Sequence, residues 1–199
     1  MGSTYAETLF SDDFESGLAL WDDTYAGISG QIVADPLVPG NQVLNFTNRI
    51  GGGDIFSIAT LQGQTGGNYI LSFDYLGTCG TASCGGFIGI SSGINPPGAH
   101  TWVGGTIAPY PDLLPDDGTW HHVTIPISTL YTNFHLMLEE WNGAGDLAAG
   151  DAYFDNIQFT DANGPTIPPE AIPIPLWTWF ILITLFGVFG LKGKIGKGS

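Results

Sequence analysis

Between residues 7 and 161 the chain is interrupted every few residues by turn chemistry, and the apolar residues between interruptions alternate rather than recur at helical spacing. The stretches ETLFSDDF, QVLNFTN, FSIATL, YILSFDYLG, GFIGIS, WHHVTIPI, FHLMLEEW and DAYFDNIQF read as strands. GISGQ, NPPGAH, PDLLPDDG and NGAGDLAAG between them read as loops. Thirty glycines and thirteen prolines in 199 residues fit many turns and few long helices. No repeat period appears. The expectation is an all-β antiparallel sandwich or barrel with a sizeable core, since 43% of the chain is hydrophobic.

Charge is distributed unevenly. All nineteen carboxylates lie at or before Glu170, whereas Arg49 is the one basic residue ahead of Lys192, Lys194 and Lys197. A body this acidic cannot neutralise phosphates, so nucleic acid is excluded as a partner. It attracts divalent cations instead, because few of its carboxylates have a basic residue to pair with.

The end of the chain has a different character. Leu176 to Leu191, LWTWFILITLFGVFGL, carries no charge and is apolar on every side. As a helix it spans about 24 Å at roughly 1.5 Å per residue. Trp177 and Trp179 at one end and lysines at the other match interfacial anchors and a positive flank. A single transmembrane helix over 176–191 with a basic tail over 192–199 is expected. The stiff stretch 162–175 precedes it as a Pro-rich linker. Pro168-Pro-Glu-Ala171 and Ile172-Pro-Ile-Pro-Leu-Trp177, followed by the apolar span and lysines, resemble the PEP-CTERM sorting signals of Gram-negative exported proteins. That resemblance implies recognition of Pro173, Pro175 and Trp177 by an exosortase-like membrane protease and delivery to the cell surface or matrix. Residues 1–8 form an N-terminal extension with neither the basic nor the apolar region of a signal peptide, so export expects one ahead of it.

Cys79 and Cys84 are separated by four residues. A small disulfide-closed loop, a free thiol pair and half of a metal site all fit that spacing. The absence of further cysteines and of suitably spaced histidines favours the disulfide.

Three motifs in order, Phe10-Ser-Asp-Asp-Phe-Glu-Ser-Gly17 with Trp21, Asp117-Gly-Thr-Trp-His121 and Gly150-Asp-Ala-Tyr-Phe-Asp-Asn-Ile157, resemble the jelly-roll carbohydrate-binding modules of galactose-binding-like fold. The resemblance covers the domain at 9–161. It implies first and last strands lying side by side, with acidic residues of both holding a structural calcium. Alternation in DAYFDNIQF puts Tyr153, Asp155, Ile157 and Phe159 on one face. Asp155 then sits among large apolar neighbours, where an uncompensated carboxylate is costly. With almost no Lys or Arg at hand, Ca²⁺ is the expected counter-charge, with Asp13 and Glu15 as further ligands.

In FHLMLEEW, Phe134, Leu136 and Leu138 make a core face, and His135, Met137, Glu139 and Trp141 stand opposite as an exposed row. Imidazole, carboxylate and indole together suit a sugar, whose C–H face stacks on an aromatic while its hydroxyls meet polar groups. Trp102, Tyr110 and Tyr25 lie in presumed loops and join the candidate site; Trp120, at a strand start, is expected in the core. Adjacent Glu139 and Glu140 point to opposite faces of a strand and cannot flank one glycosidic bond, although Glu139 with Asp74 remains a possible cross-sheet pair. No histidine spacing of a zinc site and no nucleophile elbow occurs. The expected function is therefore a non-catalytic, calcium-stabilised, exported domain that binds polysaccharide. The alternatives are a structural matrix or adhesin domain and a jelly-roll hydrolase or lyase.

Overall fold

The computed structural model describes residues 6–25, 29–47, 55–64, 67–79, 84–107, 112–128, 131–142 and 150–162. Tyr110, the sorting motif at Pro173, Pro175 and Trp177, the apolar span and the basic tail lie outside the described residues.

The strands in chain order are β1 (Glu7–Asp12), β2 (Trp21–Asp22), β3 (Gly30–Ala34), β4 (Gln42–Phe46), β5 (Ile55–Ser57), β6 (Leu61–Gln62), β7 (Asn68–Gly77), β8 (Cys84–Ser91), β9 (His100–Gly105), β10 (Asp112–Leu113), β11 (His121–Ser128), β12 (Asn133–Asn142) and β13 (Ala152–Asp161). Among the described residues there is no helix. The strands form two sheets. The first runs β11-β7-β13-β4-β3, with β1 also against β13; the second runs β10-β9-β8-β12-β5-β2, with β6 also on β12. Pairing is antiparallel throughout except for β10 on β9. All eight stretches expected as strands contribute one. β2, β3, β6, β9 and β10 are additional, and β3 begins inside the presumed loop GISGQ.

Alternation makes the core. Tyr69, Leu71, Phe73 and Tyr75 of β7 and Ile125 and Ile127 of β11 point inward from the first sheet. Ile88 and Ile90 of β8 and Phe134, Leu136 and Leu138 of β12 point inward from the second. Aromatic contacts join the layers: Phe134 meets Phe159 edge-on at 5.4 Å, and Phe10 meets Trp21 at 5.5 Å. Cys79, just past β7, and Cys84, opening β8, form a disulfide that staples one sheet to the other.

β13 is the central strand of the first sheet. It pairs with β7 along its whole length, and its free side is shared by β4 at Phe154 and by β1 from Ile157 to Asp161. First and last strands thus lie side by side. A β-bulge breaks the β13–β7 register between Asp155 and Gln158, with Asn156 at φ +50°. This corrects the alternation expected for DAYFDNIQF. The extra residue flips the phase, so that Phe154, Ile157 and Phe159 all enter the core while Asp155 turns to the outer face.

Candidate functional site

The outer face of the second sheet gathers aromatic side chains from four strands. On β12, His135, Met137, Glu139 and Trp141 point away from the core, as alternation requires. Register sets Met137 beside Gly89 and Glu139 beside Phe87 on β8, and Gly89 in turn beside Trp102 on β9. Gly89 makes room for what lies over it. A Cβ there would stand 2.9 Å from Trp102 Cε3 and 3.1 Å from the Met137 methyl. Only a glycine lets the indole lie on the sheet.

The rings form a continuous line. His100 and Trp102 are 6.3 Å apart, Trp102 and Phe87 5.8 Å at 63°, and Phe87 and Trp141 6.2 Å at 86°. Phe87 is buried, while the two indoles flanking it are half-buried and partly open to solvent. Beyond Met137, Phe56 of β5 continues the face and Tyr25, 40% exposed, meets it edge-on at 6.3 Å. The structure therefore unites Trp102, Trp141, His135, Glu139 and Tyr25 on one face of one sheet. Sequence reasoning missed Phe87 and Phe56, which support the outer rings. Their alternation with the core residues Ile88 and Ile55 was the available signal.

Exposure differs from the expected open row. His135 is 9% exposed and Glu139 3%, so these polar groups lie deep beside the indoles. The His135 ring is fixed: Nδ1 donates to the Ser57 carbonyl at 2.6 Å, and since a carbonyl only accepts, Nδ1 carries the proton. Glu139 adds a carboxylate to the deep part of the face.

Glu140 faces inward. Its carboxylate accepts from the amides of Gly150, Asp151 and Ala152 at 3.0 to 3.3 Å and anchors the approach to β13. Asp74 lies on the outer face of the first sheet, bonded to His122 at 2.7 Å and to Asn156 at 2.8 Å. Glu139 thus has neither Glu140 nor Asp74 across a common bond, so the cross-sheet pair of Glu139 with Asp74 left open by the sequence does not form. Trp120 is not in the core. Half-buried, it covers the first sheet's outer face and donates Nε1 to Asp35 at 3.0 Å.

The calcium candidates sit at the seam where β1 and β4 share β13. Asp12 Oδ1 accepts from the Phe14 amide and Oδ2 from the Trp21 indole at 2.7 Å, turning the chain through Phe14 at φ +56°. Glu15 thereby reaches the Gln42 amide at 2.9 Å, while Asp155 accepts from the Asn41 side chain at 2.9 Å and from the Asn156 amide at 2.7 Å. Glu15 and Asp155 converge on consecutive residues. Asp13 does not join them: exposed, it accepts from Glu15's amide at 3.2 Å, and the three carboxylates do not lie within 4.8 Å of one another. Burial, opposed by the Asn41 and Asn156 bonds, pushes the Asp155 carboxyl up, with Asp74 and Asp35 adding to the rise. Asp35 goes the other way: burial would raise it, but bonds from Asn41, Leu37, Trp120 and Val38 together hold it below the usual carboxylate range. A cleft of about 480 Å³ beside the seam is lined by Ser11, Asp12, Asp13, Asn156 and Gln158 among others. Its lining holds no aromatic ring, so it lacks the platform of the second sheet.

No protein-family model matches the chain, and no curated protein is significantly similar to it. Solved structures are similar. The CBM22-1 xylan-binding domain of Paenibacillus barcinonensis Xyn10C superposes with a TM-score of 0.49 at 17% identity, covering 79% of this chain and 96% of its own. The K3 cleaved adhesin domain of Lys-gingipain from Porphyromonas gingivalis gives 0.48 at 13% identity, over 78% of this chain and 99% of that one. A carbohydrate-binding module of Cellvibrio mixtus lichenase 5A, in complex with cellotriose, gives 0.42 at 9% identity, over 77% and 97%.

Proposed function

We propose that the sandwich is a non-catalytic carbohydrate-binding domain, and that the outer face of its second sheet takes a neutral polysaccharide. One observation carries this reading: Trp102 and Trp141 stand half-buried on either side of Phe87, with the polar side chains of His135 and Glu139 deep on the same face. Indoles offer flat apolar surface to sugar C–H groups, and buried polar groups discriminate among hydroxyls. The charge of the chain, −15, disfavours polyuronates and sulfated polymers. The depth of His135 and Glu139 favours a second reading, a structural matrix or adhesin domain whose face is closed to ligand.

The proposal extends to the whole chain. A jelly-roll domain is exported, carried to the membrane by the 176–191 span and passed through the Pro173, Pro175 and Trp177 signal by an exosortase-like protease to the surface or matrix. A structural Ca²⁺ at the seam would be held by Glu15 and Asp155 together with backbone carbonyls. It would supply counter-charge to the acidic β13 bulge and take no part in chemistry; Asp13 is left out of the ligand set.

Electrophoresis of the chain through gels containing neutral or anionic polysaccharides, with a reducing-end assay alongside, tests the reading. It predicts retardation by a neutral polymer without new reducing ends. Retardation with degradation would make the protein an enzyme, and no retardation by any polymer would leave the closed structural domain.

A further inference from the structure

The end of β7, the start of β8 and the approach to β13 meet at one corner, where the Cys79 and Cys84 sulfurs and an Asp151 carboxylate oxygen lie within 4.8 Å of one another. We propose that this corner is a redox-gated site for a thiophilic divalent cation such as Zn²⁺ or Cd²⁺. It is closed as the disulfide and opened by reduction into a Cys79, Cys84, Asp151 ligand set.

The dimensions fit. Tetrahedral zinc with bonds of about 2.3 Å to sulfur and about 2.0–2.2 Å to carboxylate oxygen spaces its ligand atoms roughly 3.5–3.8 Å apart. The two Cα atoms are 6.0 Å apart, so side-chain rotation alone can spread the sulfurs around an ion. The third ligand is set without help from the disulfide. The Thr78 amide donates to the Asp151 carbonyl at 2.9 Å, and Thr78 Oγ1 donates to its Oδ1 at 3.2 Å. Asp151's own amide is held by Glu140 at 3.2 Å. On the other side, β8 is registered on β12 from Ser91 to Cys84. Opening the S–S bond therefore leaves Cys84 on β8, Asp151 held by Thr78 and Glu140, and Cys79 next to Thr78, whose amide is bonded to Asp151.

The chemistry balances with an external dithiol or phosphine as reductant. Two electrons and two protons cleave the S–S bond to two thiols. The cation then displaces those two protons, forming a bis-thiolate with the Asp151 carboxylate as third donor and a water in the fourth position. The acidic surroundings concentrate cations at the site.

The test uses the full chain, reduced with a phosphine, desalted without oxygen and titrated with Cd²⁺ while thiolate-to-cadmium absorption is followed. Near-ultraviolet circular dichroism and a thiol count are taken on the same sample. The reduced chain should develop the thiolate-to-cadmium absorption to an end point of one equivalent, and the oxidised chain should develop none. Asp151→Asn, which keeps an acceptor for Thr78, should retain two thiols yet bind about tenfold or more weakly, and Cys79→Ser should lose the absorption. Equal affinity of Asp151→Asn and the parent chain, or no uptake by the folded reduced chain, would overturn the proposal. So would loss of the near-ultraviolet signal on reduction, because the site would then not outlast the disulfide.

Discussion

Trp102 and Trp141 differ from Trp21 and Trp120 in what they touch, and the difference sorts them by role. Trp21 is buried against Phe10 and Phe14 and bonded to Asp12, and Trp120 reaches Asp35 on the opposite sheet. Trp102 and Trp141 rest on Phe87 and present their remaining surface to solvent. Trp102→Ala or Trp141→Ala should each weaken polysaccharide binding by about 1–2 kcal/mol, roughly five- to thirtyfold, with little change in melting temperature. Phe87→Ala should cost about 3–5 kcal/mol of stability by leaving a cavity beneath both indoles, and urea denaturation measures it. Alternation made His135, Glu139 and Trp141 legible in the sequence as one face of β12. It says nothing of depth, which neighbouring strands and loops set, so the burial of His135 and Glu139 was not legible. Asp155 carries a pH prediction. Its folded carboxyl titrates above the unfolded value of 3.8, so the native state holds the extra proton and ionising Asp155 costs stability as pH rises through that window. In chelator, Asp155→Asn should therefore gain stability relative to the parent chain as pH rises from 3.8. A difference that is flat or falls with pH would contradict the raised carboxyl.

At the scale of elements, β13 decides the first sheet. Its bulge needs a residue that tolerates φ near +50°, and Asn156 does so while bonding Asp74. Asn156→Val should destabilise by about 1–3 kcal/mol, because a β-branched residue is strained in that region and the Asp74 bond is lost. Asn156→Gly should cost less despite losing the same bond. Strict period two put Ile157 and Phe159 on the face of Asp155, and one inserted residue reversed the assignment. Bulges have no composition that marks them in a single strand, whereas the pairing with β7 reveals this one at once. The same bulge places Asp155 at the seam, so the calcium proposal depends on it. Chelation should lower the melting temperature and added Ca²⁺ restore it, and Glu15→Gln should blunt that response. An unchanged melting temperature in chelator would remove the cation from the account.

At the scale of the molecule, two sheets, an aromatic core and a single staple between Cys79 and Cys84 build a platform with two unlike outer faces. The first sheet's face is a polar lattice running from His122 through Asp74, Asn156, Asp155 and Asn41 to Asp35 and Trp120. The second sheet's face is aromatic. The sandwich class was legible because long strands such as β7 and β11 alternate. Two-residue pieces such as β2 and β6, and β9 with its His-Thr-Trp-Val-Gly-Gly composition, carry too little alternation to stand out. The measurement that tests the account most directly is affinity electrophoresis of the parent chain, the Trp102→Ala/Trp141→Ala double variant and Trp120→Ala in a gel of whichever neutral polysaccharide retards the parent. The account predicts that the double variant runs free while Trp120→Ala is retarded like the parent chain. Retardation that survives in the double variant, or is lost in Trp120→Ala with its fold intact, would move the binding face off the second sheet and contradict it.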